Sequence, residues 1–316
     1  MICKICGKNI AADSIKVCKK CIIEGKGKEF YMEAHKKIPS EGIECSLCGN
    51  NCKIGKNEKG FCRLRENIDG KLYNYSNREF AIGEFYLDPL PTNCVASWVC
   101  KMNYGYNLAV FYGACSFDCL FCQNWIYHEM VERRYPLMNI NDLLLAAEKA
   151  KCICFFGGDP SCQILHALEV AKRVDKIICW ETNGNFAKRF LKDIARYTNG
   201  IIKFDLKAWN ENLHFALCGV SNKNSLENFE YLARHCKMAA STLLVPYYID
   251  KEEVYEIASF IASIDESIPY TLLAFYPCYK MRDLHNTTKK QAMECYDMAI
   301  KAGLKNVRIG NKHLLI

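Results

Sequence analysis

The sequence contains no long hydrophobic run. No stretch of the 316-residue chain approaches the roughly 18 consecutive apolar residues of a membrane-spanning helix. Its first residues also lack the apolar core of a secretory signal peptide. These absences predict a cytoplasmic protein that has no membrane partner. A chain that is 50% hydrophobic and 24% charged can bury one sizeable core plus a small satellite module.

Clustered basic residues are also scarce. The formal net charge is +7, but the lysines are spread along the chain, with short clusters such as Lys36 and Lys37. A nucleic-acid groove needs clustered arginines and interleaved aromatic residues on one face. The charge pattern indicates a solvated surface, so nucleic acid is not expected as a partner.

Cysteine is abundant and unevenly placed. Of the 21 cysteines, 13 lie within the first 122 residues, mostly in short pairs, and the others are scattered through apolar segments. Disulfides are rare in a reducing cytosol. We therefore interpret the first set as metal ligands and the second as buried core thiols.

The first two pairs predict a structural metal site. Cys3 and Cys6 are followed, after eleven residues, by Cys18 and Cys21. Two C-x-x-C pairs at this separation are typical of a tetrahedral zinc site. About 25 residues cannot build their own core and would depend on the ion for folding. We predict a zinc-ribbon-like module over residues 1–30, with unliganded or redox-active cysteines as the alternative.

A second cysteine group lies in residues 31–106, which we interpret as a Cys-rich connecting region. Three glycines within the group let the loop wrap tightly, so that four ligands can converge. The group consists of Cys45, Cys48, Cys52 and Cys62. Zinc, a mononuclear iron and an auxiliary iron–sulfur cluster all fit this spacing. Cys94 and Cys100 either join a metal site or pack with Trp98.

Three more cysteines share one short loop, with the spacing C-x-x-x-C-x-x-C: Cys115, Cys119 and Cys122. Iron–sulfur clusters in proteins normally take four cysteines. Three without a local fourth indicate a four-iron cube whose open corner is filled by a small molecule or another residue. Three buried or zinc-binding cysteines are the alternative.

From residue 107 onward, short apolar runs alternate with amphipathic helical patterns. The strands are predicted at residues 108–112, 152–156, 177–181, 201–206, 241–245 and 270–275. The helices are predicted at residues 142–151, 163–174, 185–197, 226–236 and 252–263, with Asn139 and Asn141 as candidate caps of the first. Six such units predict an α/β protein with a partial (β/α)6 barrel, similar to a TIM barrel, over residues 107–316. In such barrels the reactive groups lie at the C-terminal ends of the strands.

Polar motifs follow the second, third and fourth of these strands. They are Gly157, Gly158, Asp159 and Pro160; Glu181, Thr182, Asn183 and Gly184; and Lys203, Asp205 and Lys207. Taken separately, they are a turn, a capped turn and a strand-end ion pair. The consecutive glycines would let a ligand approach the backbone closely, and Asp159 supplies an acceptor beside them.

Together with the three-cysteine loop, these motifs resemble the radical S-adenosylmethionine (SAM) superfamily. The closest resemblance is to the branch of pyruvate formate-lyase activating enzymes and AmmeMemoRadiSam-group proteins. It covers residues 45–65, 115–125, 181–184, 205–209, 242–250, 275–281 and 302–311. The chain departs from this branch at residues 88–100, where the relatives carry a charged segment. It departs again at Tyr276, where activating enzymes place a SAM-contacting histidine.

The resemblance implies a radical SAM enzyme. A 4Fe–4S cluster on the three-cysteine loop would bind SAM at its open iron and donate the electron that cleaves it, giving a 5′-deoxyadenosyl radical that abstracts hydrogen. The Gly-Gly-Asp-Pro backbone would bind the methionyl amine of SAM, and Lys207 its carboxylate. Glu181, Thr182 and Asp205 would form a polar or cation-binding edge. Phe121, Trp125 and Tyr112 could cover the adenine, although core packing is favoured for at least two of them.

The expected substrate is a residue of a protein or peptide, reached through the open top of the barrel beneath residues 88–100. One candidate reaction is cobalamin-dependent Cα methylation, as in the modification of methyl-coenzyme M reductase. No Asp-x-His-x-x-Gly cobalamin motif occurs, although many such methyltransferases lack one. The alternatives are a glycyl-radical-enzyme activase and a non-catalytic metal-binding interaction module. An electron donor such as flavodoxin or ferredoxin would be a partner of the enzyme.

Overall fold

The computed structural model describes residues 1–316, and its N-terminal part contains only short elements. Two helices follow the first cysteine pairs: α1 (Lys19–Ile23) and α2 (Lys28–Met32). Two antiparallel ribbons carry or adjoin the second cysteine group. They pair β1 (Ile43–Glu44) with β2 (Lys53–Ile54), and β3 (Arg65–Ile68) with β4 (Lys71–Asn74).

A nine-stranded sheet forms the rest of the framework. Its strands are β5 (Phe80–Pro89), β6 (Tyr106–Tyr112), β7 (Leu137–Asn139), β8 (Cys152–Gly157), β9 (Ile177–Thr182), β10 (Ile201–Asp205), β11 (Lys237–Leu244), β12 (Tyr270–Ala274) and β13 (Val307–Gly310). Their order across the sheet is β13-β12-β11-β10-β9-β8-β6-β5-β7. The seven strands from β13 to β6 are parallel, and β5 pairs antiparallel with both β6 and β7.

Eight helices connect these strands: α3 (Tyr127–Arg133), α4 (Ile140–Ala147), α5 (Ile164–Arg173), α6 (Leu191–Tyr197), α7 (Glu211–Cys218), α8 (Lys223–Ala233), α9 (Lys251–Ile264) and α10 (Lys289–Lys301). Helix α4 begins as predicted, because the side chain of Asn139 accepts a hydrogen bond from the backbone N–H of Asn141. The five predicted helices correspond to α4, α5, α6, α8 and α9.

The partial α/β barrel predicted from the sequence is confirmed. All six predicted strands are present, because strands buried on both faces read as continuous apolar runs. Phe155, Trp180 and Phe204 are fully buried, and the rings of Phe155 and Trp180 lie 4.8 Å apart. Three strands of the sheet were not predicted: β7 and β13, which have only three and four residues, and β5, which lies inside the predicted connecting region. None of the helices is both long and apolar enough to cross a membrane.

The N-terminal residues pack directly on the barrel. Ala12, Ile15 and Val17 are completely buried. The hydroxyl of Tyr248, just after β11, accepts a hydrogen bond from the N–H of Ala12 at 2.8 Å and donates to the carbonyl of Val17 at 3.1 Å. The first thirty residues therefore share the hydrophobic core of the barrel.

Candidate active site

The three-cysteine loop begins just after β6, at the C-terminal edge of the parallel sheet. The side chains of Cys115 and Cys119 are buried, and that of Cys122 is half-buried. The end of α7 holds the loop, since the N–H of Asp118 donates to the carbonyl of Cys218 at 2.8 Å. The N–H of Leu120 likewise donates to the carbonyl of Leu217 at 3.0 Å. The loop conformation is thus fixed by the protein itself.

A buried carboxylate connects this loop to the N-terminal part of the chain. The carboxylate of Asp118 accepts a hydrogen bond from the N–H of Lys36 at 3.1 Å and lies 3.7 Å from the imidazole of His35. Burial opposes ionisation, but hydrogen bonding with His35 and the charge of Lys36 outweigh it, so the pKa of Asp118 is lowered. His35 also bonds the carbonyl of Asp118 at 3.0 Å through Nδ1.

Only glycine fits at the turn after β8. A Cβ at Gly158 would lie 2.3 Å from the carbonyl oxygen of Ala114, one residue before the cluster loop. Gly157 has φ +111°, and a Cβ there would lie 2.5 Å from the backbone nitrogen of Tyr112. The backbone of this turn therefore lies directly against the start of the cysteine loop.

The acceptor expected at Asp159 is used by the protein rather than left open to a ligand. One carboxylate oxygen of Asp159 accepts the N–H of Ser161 at 2.8 Å. The other accepts the hydroxyl of Thr182 at 2.9 Å and the N–H of Asn183 at 2.7 Å. Burial raises the pKa of Asp159. This side chain joins the turn after β8 to the turn after β9.

Replacing Asp159 with asparagine is expected to weaken this connection. Asparagine has one acceptor oxygen in its side chain. Either the donor from Ser161 or the donors from Thr182 and Asn183 would therefore face an NH2 group instead of an oxygen. An unsatisfied buried donor costs about 1–3 kcal/mol, and the urea midpoint should fall accordingly. The matched control is Asp69→Asn, because the Asp69 side chain is 75% exposed. Equal midpoints for the two variants would contradict this role for Asp159.

A polar network surrounds the sulfur of Cys115 and joins the predicted Asn183 to Ser116 and Ser161, which were not predicted. The amide of Asn183 donates to this sulfur at 3.5 Å and to the hydroxyl of Ser116 at 3.2 Å. The hydroxyl of Ser161 donates to that of Ser116 at 3.0 Å. Serine and asparagine in turns give no sequence signal of such a role, because they are common there for local reasons.

The cation expected at Lys207 is held by its neighbour. The Lys207 ammonium lies 2.7 Å from the carboxylate of Asp205, which also accepts the hydroxyl of Ser241. Burial disfavours the charged amine, but Asp205 outweighs this effect and the pKa of Lys207 is raised. The ammonium also lies 6.0 Å from the ring centroid of Phe121. Lys207 therefore stays charged beside the cysteine loop.

A second buried lysine lies deeper in the barrel. The ammonium of Lys203 lies 2.8 Å from the sulfur of Cys154 and 3.9 Å from the carboxylate of Glu181. Burial raises the pKa of Glu181. Lys203 was visible in the sequence only as a charged residue within an apolar strand.

One cavity of about 410 Å³ brings the candidate residues together. It is lined by Cys115, Cys119, Cys122, Phe121, Gly157, Gly158, Asp159, Glu181, Thr182, Asn183, Asp205 and Lys207. Pro160 is not part of the lining and begins a 3₁₀ turn. Arg308 and Asn311, from the end of β13, also line the cavity and were not predicted. Of the three candidate aromatics, only Phe121 lines it.

The other two aromatic candidates lie elsewhere. Trp125 stacks on Tyr279, with ring centroids 6.2 Å apart. Tyr112 is fully buried, and its hydroxyl pairs with Nδ1 of His166 at 3.0 Å. Tyr112 therefore packs in the core, whereas the half-buried Trp125 stacks on another aromatic ring outside the cavity lining.

The predicted position of residues 88–100 over the open top of the barrel is wrong. Strand β5 runs antiparallel to β6, so Pro89 pairs with Tyr106 at the N-terminal end of the parallel strands. The chain then enters the barrel from that end, and Asn93, Cys94, Val95 and Ser97 line the cavity. The indole of Trp98 donates to the hydroxyl of Thr271, near the start of β12, at 3.2 Å. This segment closes the end of the barrel opposite the cysteine loop.

The four N-terminal cysteines form a metal-binding geometry. The sulfur atoms of Cys3, Cys6, Cys18 and Cys21 all lie within 4.8 Å of one another. The separations are 4.0 Å between Cys3 and Cys21 and 3.9 Å between Cys6 and Cys18. Four thiols at this spacing suit a single tetrahedral ion.

Replacing Cys6 with serine is expected to remove the ion from this site. Structural zinc contributes about 10 kcal/mol or more of apparent folding free energy in small modules, so the first thirty residues should become sensitive to protease. SAM cleavage at moderate temperature should persist, because the barrel supplies the cavity. Cys236→Ser is the control, since Cys236 is a half-buried thiol without another thiol beside it. Unchanged metal content in the Cys6 variant would refute the site.

The second cysteine group lies against the cluster loop. Cys48, Cys52 and Cys62 are buried, and the N–H of Cys45 donates to the carbonyl of Cys52 at 2.7 Å. Between them, the amide of Asn50 donates to the carbonyl of Ser116 at 2.8 Å. The predicted connecting region thus contacts the candidate site directly.

Comparison with known protein families identifies the part of the chain that resembles one of them. A family model described as the radical SAM superfamily matches residues 109–261, which include the cysteine loop and the strand-end motifs. This region of the chain is therefore similar to the radical SAM superfamily.

Two archaeal proteins are similar to the chain in sequence, and a solved structure is similar to it in fold. An uncharacterized protein of the archaeon Methanocaldococcus jannaschii is 27% identical over 301 residues, covering 88% of this chain and 84% of that protein. A putative glycyl-radical enzyme activating enzyme of the same organism is 26% identical over 197 residues, covering 59% of this chain and 74% of that protein. The crystal structure of Streptococcus suis SuiB bound to S-adenosylmethionine shares the fold. Its TM-score is 0.50 at 14% identity, over 67% of this chain and 52% of SuiB.

Proposed function

We propose that this protein cleaves SAM reductively and uses the resulting radical to modify a residue of a polypeptide. The observation that carries the proposal is the single cavity in which the three-cysteine loop meets the ends of β8, β9 and β10. In a parallel barrel, groups from successive strand ends converge on one substrate. A scaffold without chemistry would not need this convergence.

The residues present fit the two cofactors. Cys115, Cys119 and Cys122 offer three thiolates, which leaves one iron of a 4Fe–4S cluster for SAM. When bound, the cluster and SAM supply the electron transfer and the 5′-deoxyadenosyl radical. Gly157 and Gly158 line the cavity beside the cysteine loop, and the backbone of this turn would bind the methionyl amine of SAM.

The other cavity residues orient and tune these groups. Lys207 offers a permanent positive charge for the SAM carboxylate, with Asp205 holding it in place. Asn183 donates to the sulfur of Cys115, and hydrogen bonds to sulfur tune the potential of iron–sulfur clusters. Phe121 lies beside Lys207 and offers an apolar face for the adenine.

We further propose zinc as the ion of the four N-terminal cysteines, with a structural role. A closed set of four thiolates leaves no position for a substrate. The cluster would receive its electron from a small carrier protein such as flavodoxin or ferredoxin.

The polypeptide substrate is supported by the shape of the cavity and by one relative. Residues 93–97 close the barrel at the end opposite the cysteine loop, so the target must enter from the cluster side. A relative named as a putative glycyl-radical enzyme activating enzyme would act on another protein. The specific reaction proposed is Cα methylation with a cobalamin cofactor.

The test is anaerobic reconstitution with iron and sulfide, followed by reduction with dithionite in the presence of SAM. Formation of 5′-deoxyadenosine supports the enzyme, and its absence from a folded, iron-loaded protein rules the proposal out. Hydroxocobalamin that stays with the protein through gel filtration supports methylation, whereas a cobalamin-free spectrum excludes it. Efficient turnover of a free small metabolite would overturn the polypeptide substrate.

The similarity to the putative activating enzyme favours a second candidate, a glycyl-radical activase. This activity would leave a stable glycyl radical on a partner enzyme, detectable by electron paramagnetic resonance after incubation with SAM. A methylated peptide without that radical would favour the first candidate. A purely metal-binding interaction module would give neither product.

A further inference from the structure

A buried arginine beside the second cysteine group has no carboxylate partner. Arg65 is 2% exposed. Its guanidinium donates to the carbonyl of Cys162 at 2.7 Å, to the amide oxygen of Asn74 at 3.2 Å and to the hydroxyl of Ser76 at 3.4 Å. It also lies 4.0 Å from the sulfur of Cys62. A buried cation is costly unless an anion compensates it, and among these partners only a thiol can become one.

The same arginine brings together two cysteines that are one hundred residues apart. Cys162 belongs to the 3₁₀ turn Pro160–Gln163, is 1% exposed, and was interpreted from the sequence as a core thiol. One guanidinium nitrogen of Arg65 contacts both the carbonyl of Cys162 and the sulfur of Cys62. Burial, together with hydrogen bonding to the thiols of Cys48 and Cys62, raises the pKa of the Cys162 thiol. The thiols of Cys45 and Cys52 are neighbours of the same two sulfurs. Cys162 therefore lies beside the second cysteine group.

The loop that carries Cys48 is docked firmly on the barrel. The N–H of Gly49 donates to the carbonyl of Asn185 at 2.8 Å, and a Cβ at Gly49 would lie 2.1 Å from the Asn185 amide oxygen. The amide of Asn185 in turn donates to the amide oxygen of Asn50 at 2.9 Å. The position of Cys48 beside Cys162 is thus set by contacts outside the thiol group.

We propose that Cys162 is a barrel-derived thiolate ligand of a second metal centre, which it forms with cysteines of the group Cys45, Cys48, Cys52 and Cys62. Arg65 balances the negative charge of the metal–thiolate unit. An iron–sulfur cluster satisfies this chemistry, since it is held by thiolates.

Such a centre would act on the SAM cavity through the backbone. Cys162 lies three residues after Asp159, which joins the turns after β8 and β9. A metal bound to Cys162 would fix one end of the turn whose other end is Gly157 and Gly158. The metal centre would therefore help to position the turn that lines the cavity.

The inference rests on the prediction, made from the sequence, that the second cysteine group binds metal, and the experiment separates the two. The full chain carrying alanine at Cys115, Cys119 and Cys122 is loaded anaerobically with iron, sulfide and zinc, so that the first cluster does not contribute. Iron, zinc and sulfide are then measured for each chain, together with the absorption spectrum. To this background Cys162→Ala, Cys62→Ala or Cys295→Ala is added, the last as a control because Cys295 is a fully buried core thiol.

We expect Cys162→Ala and Cys62→Ala each to remove the metal of the second centre, and Cys295→Ala to retain it. Every chain keeps the zinc of the four N-terminal cysteines, so the second centre is identified by what Cys62→Ala loses. Loss of iron with sulfide identifies a cluster, and loss of zinc alone identifies an ion. If Cys62→Ala loses the metal and Cys162→Ala keeps it, the four-cysteine centre stands and the role of Cys162 is overturned. If both variants keep the metal, the centre itself is refuted.

A second measurement covers the case in which Cys162→Ala does not fold. The unsubstituted chain is alkylated with iodoacetamide before and after chelation, and each cysteine is followed by mass spectrometry. Modification of Cys162 only after chelation, with Cys295 equally modified in both states, supports the inference. Equal modification of Cys162 in both states overturns it.

Discussion

Replacing Cys119 with alanine is expected to abolish SAM cleavage. A 4Fe–4S cluster that loses one of three protein ligands is left with two open irons, so neither the cluster nor its SAM geometry is maintained. Formation of 5′-deoxyadenosine should fall to background, together with the iron and sulfide bound by this loop. The same outcome is expected for Cys115→Ala and Cys122→Ala.

The control for this series is Cys295→Ala, which removes a buried thiol from α10. It should retain both cluster and cleavage, with a loss of stability only. Full turnover in any of the three loop variants would show that the cluster is held elsewhere.

The second large effect is expected from Gly158→Ala. The added Cβ would lie 2.3 Å from the carbonyl oxygen and 2.7 Å from the carbonyl carbon of Ala114, so the turn or the cysteine loop must move. A displacement of about 1 Å in an active site can cost about 100-fold in rate, and we expect a loss of this order in 5′-deoxyadenosine formation. SAM binding, measured by isothermal titration, should weaken in parallel.

Gly55→Ala provides the matched comparison. The atom nearest to a Cβ at Gly55 would be the end of the flexible Glu58 side chain, at 3.1 Å, and the carbonyl oxygen of Glu41 would follow at 3.4 Å, an ordinary contact distance. Its effect on cleavage should be small. A Gly158 variant as active as the Gly55 variant would mean that SAM does not approach this turn.

Most of the barrel could be predicted because its strands are buried on both faces. Residues 152–156, for example, are an apolar run that the structure extends by one residue to Gly157. Strand β11 starts four residues earlier than predicted, at Lys237, because small and polar residues there give no apolar signal. Strand β5 was not predicted, since its pairing with β6 is a long-range contact that the local pattern does not encode.

The candidate site was predictable where a motif places residues at a strand end, and less so where partners come from elsewhere in the chain. The cavity collects the cysteine loop and the polar motifs because parallel strands end at one edge. The use of Asp159 by Thr182 and Asn183 depends on how two turns face each other. Cys162 gave no signal, because its neighbouring thiols lie about one hundred residues away in the sequence.

The sequence also did not predict at which end of the barrel residues 88–100 lie. Proline residues and Trp98 indicated a stiff loop that makes contacts. Which end of the barrel this loop occupies depends on the direction of β5. This direction moves Cys94 to the closed end of the cavity, near Lys203. The proposed substrate would therefore enter from the cluster side.

Mössbauer spectroscopy of the ⁵⁷Fe-reconstituted protein, recorded with and without SAM, tests the central claim most directly. The account predicts that one iron of the cluster on Cys115, Cys119 and Cys122 changes its signal when SAM is added, and that this change is absent when the three cysteines are replaced by alanine. A cluster spectrum that stays the same at saturating SAM would contradict the account.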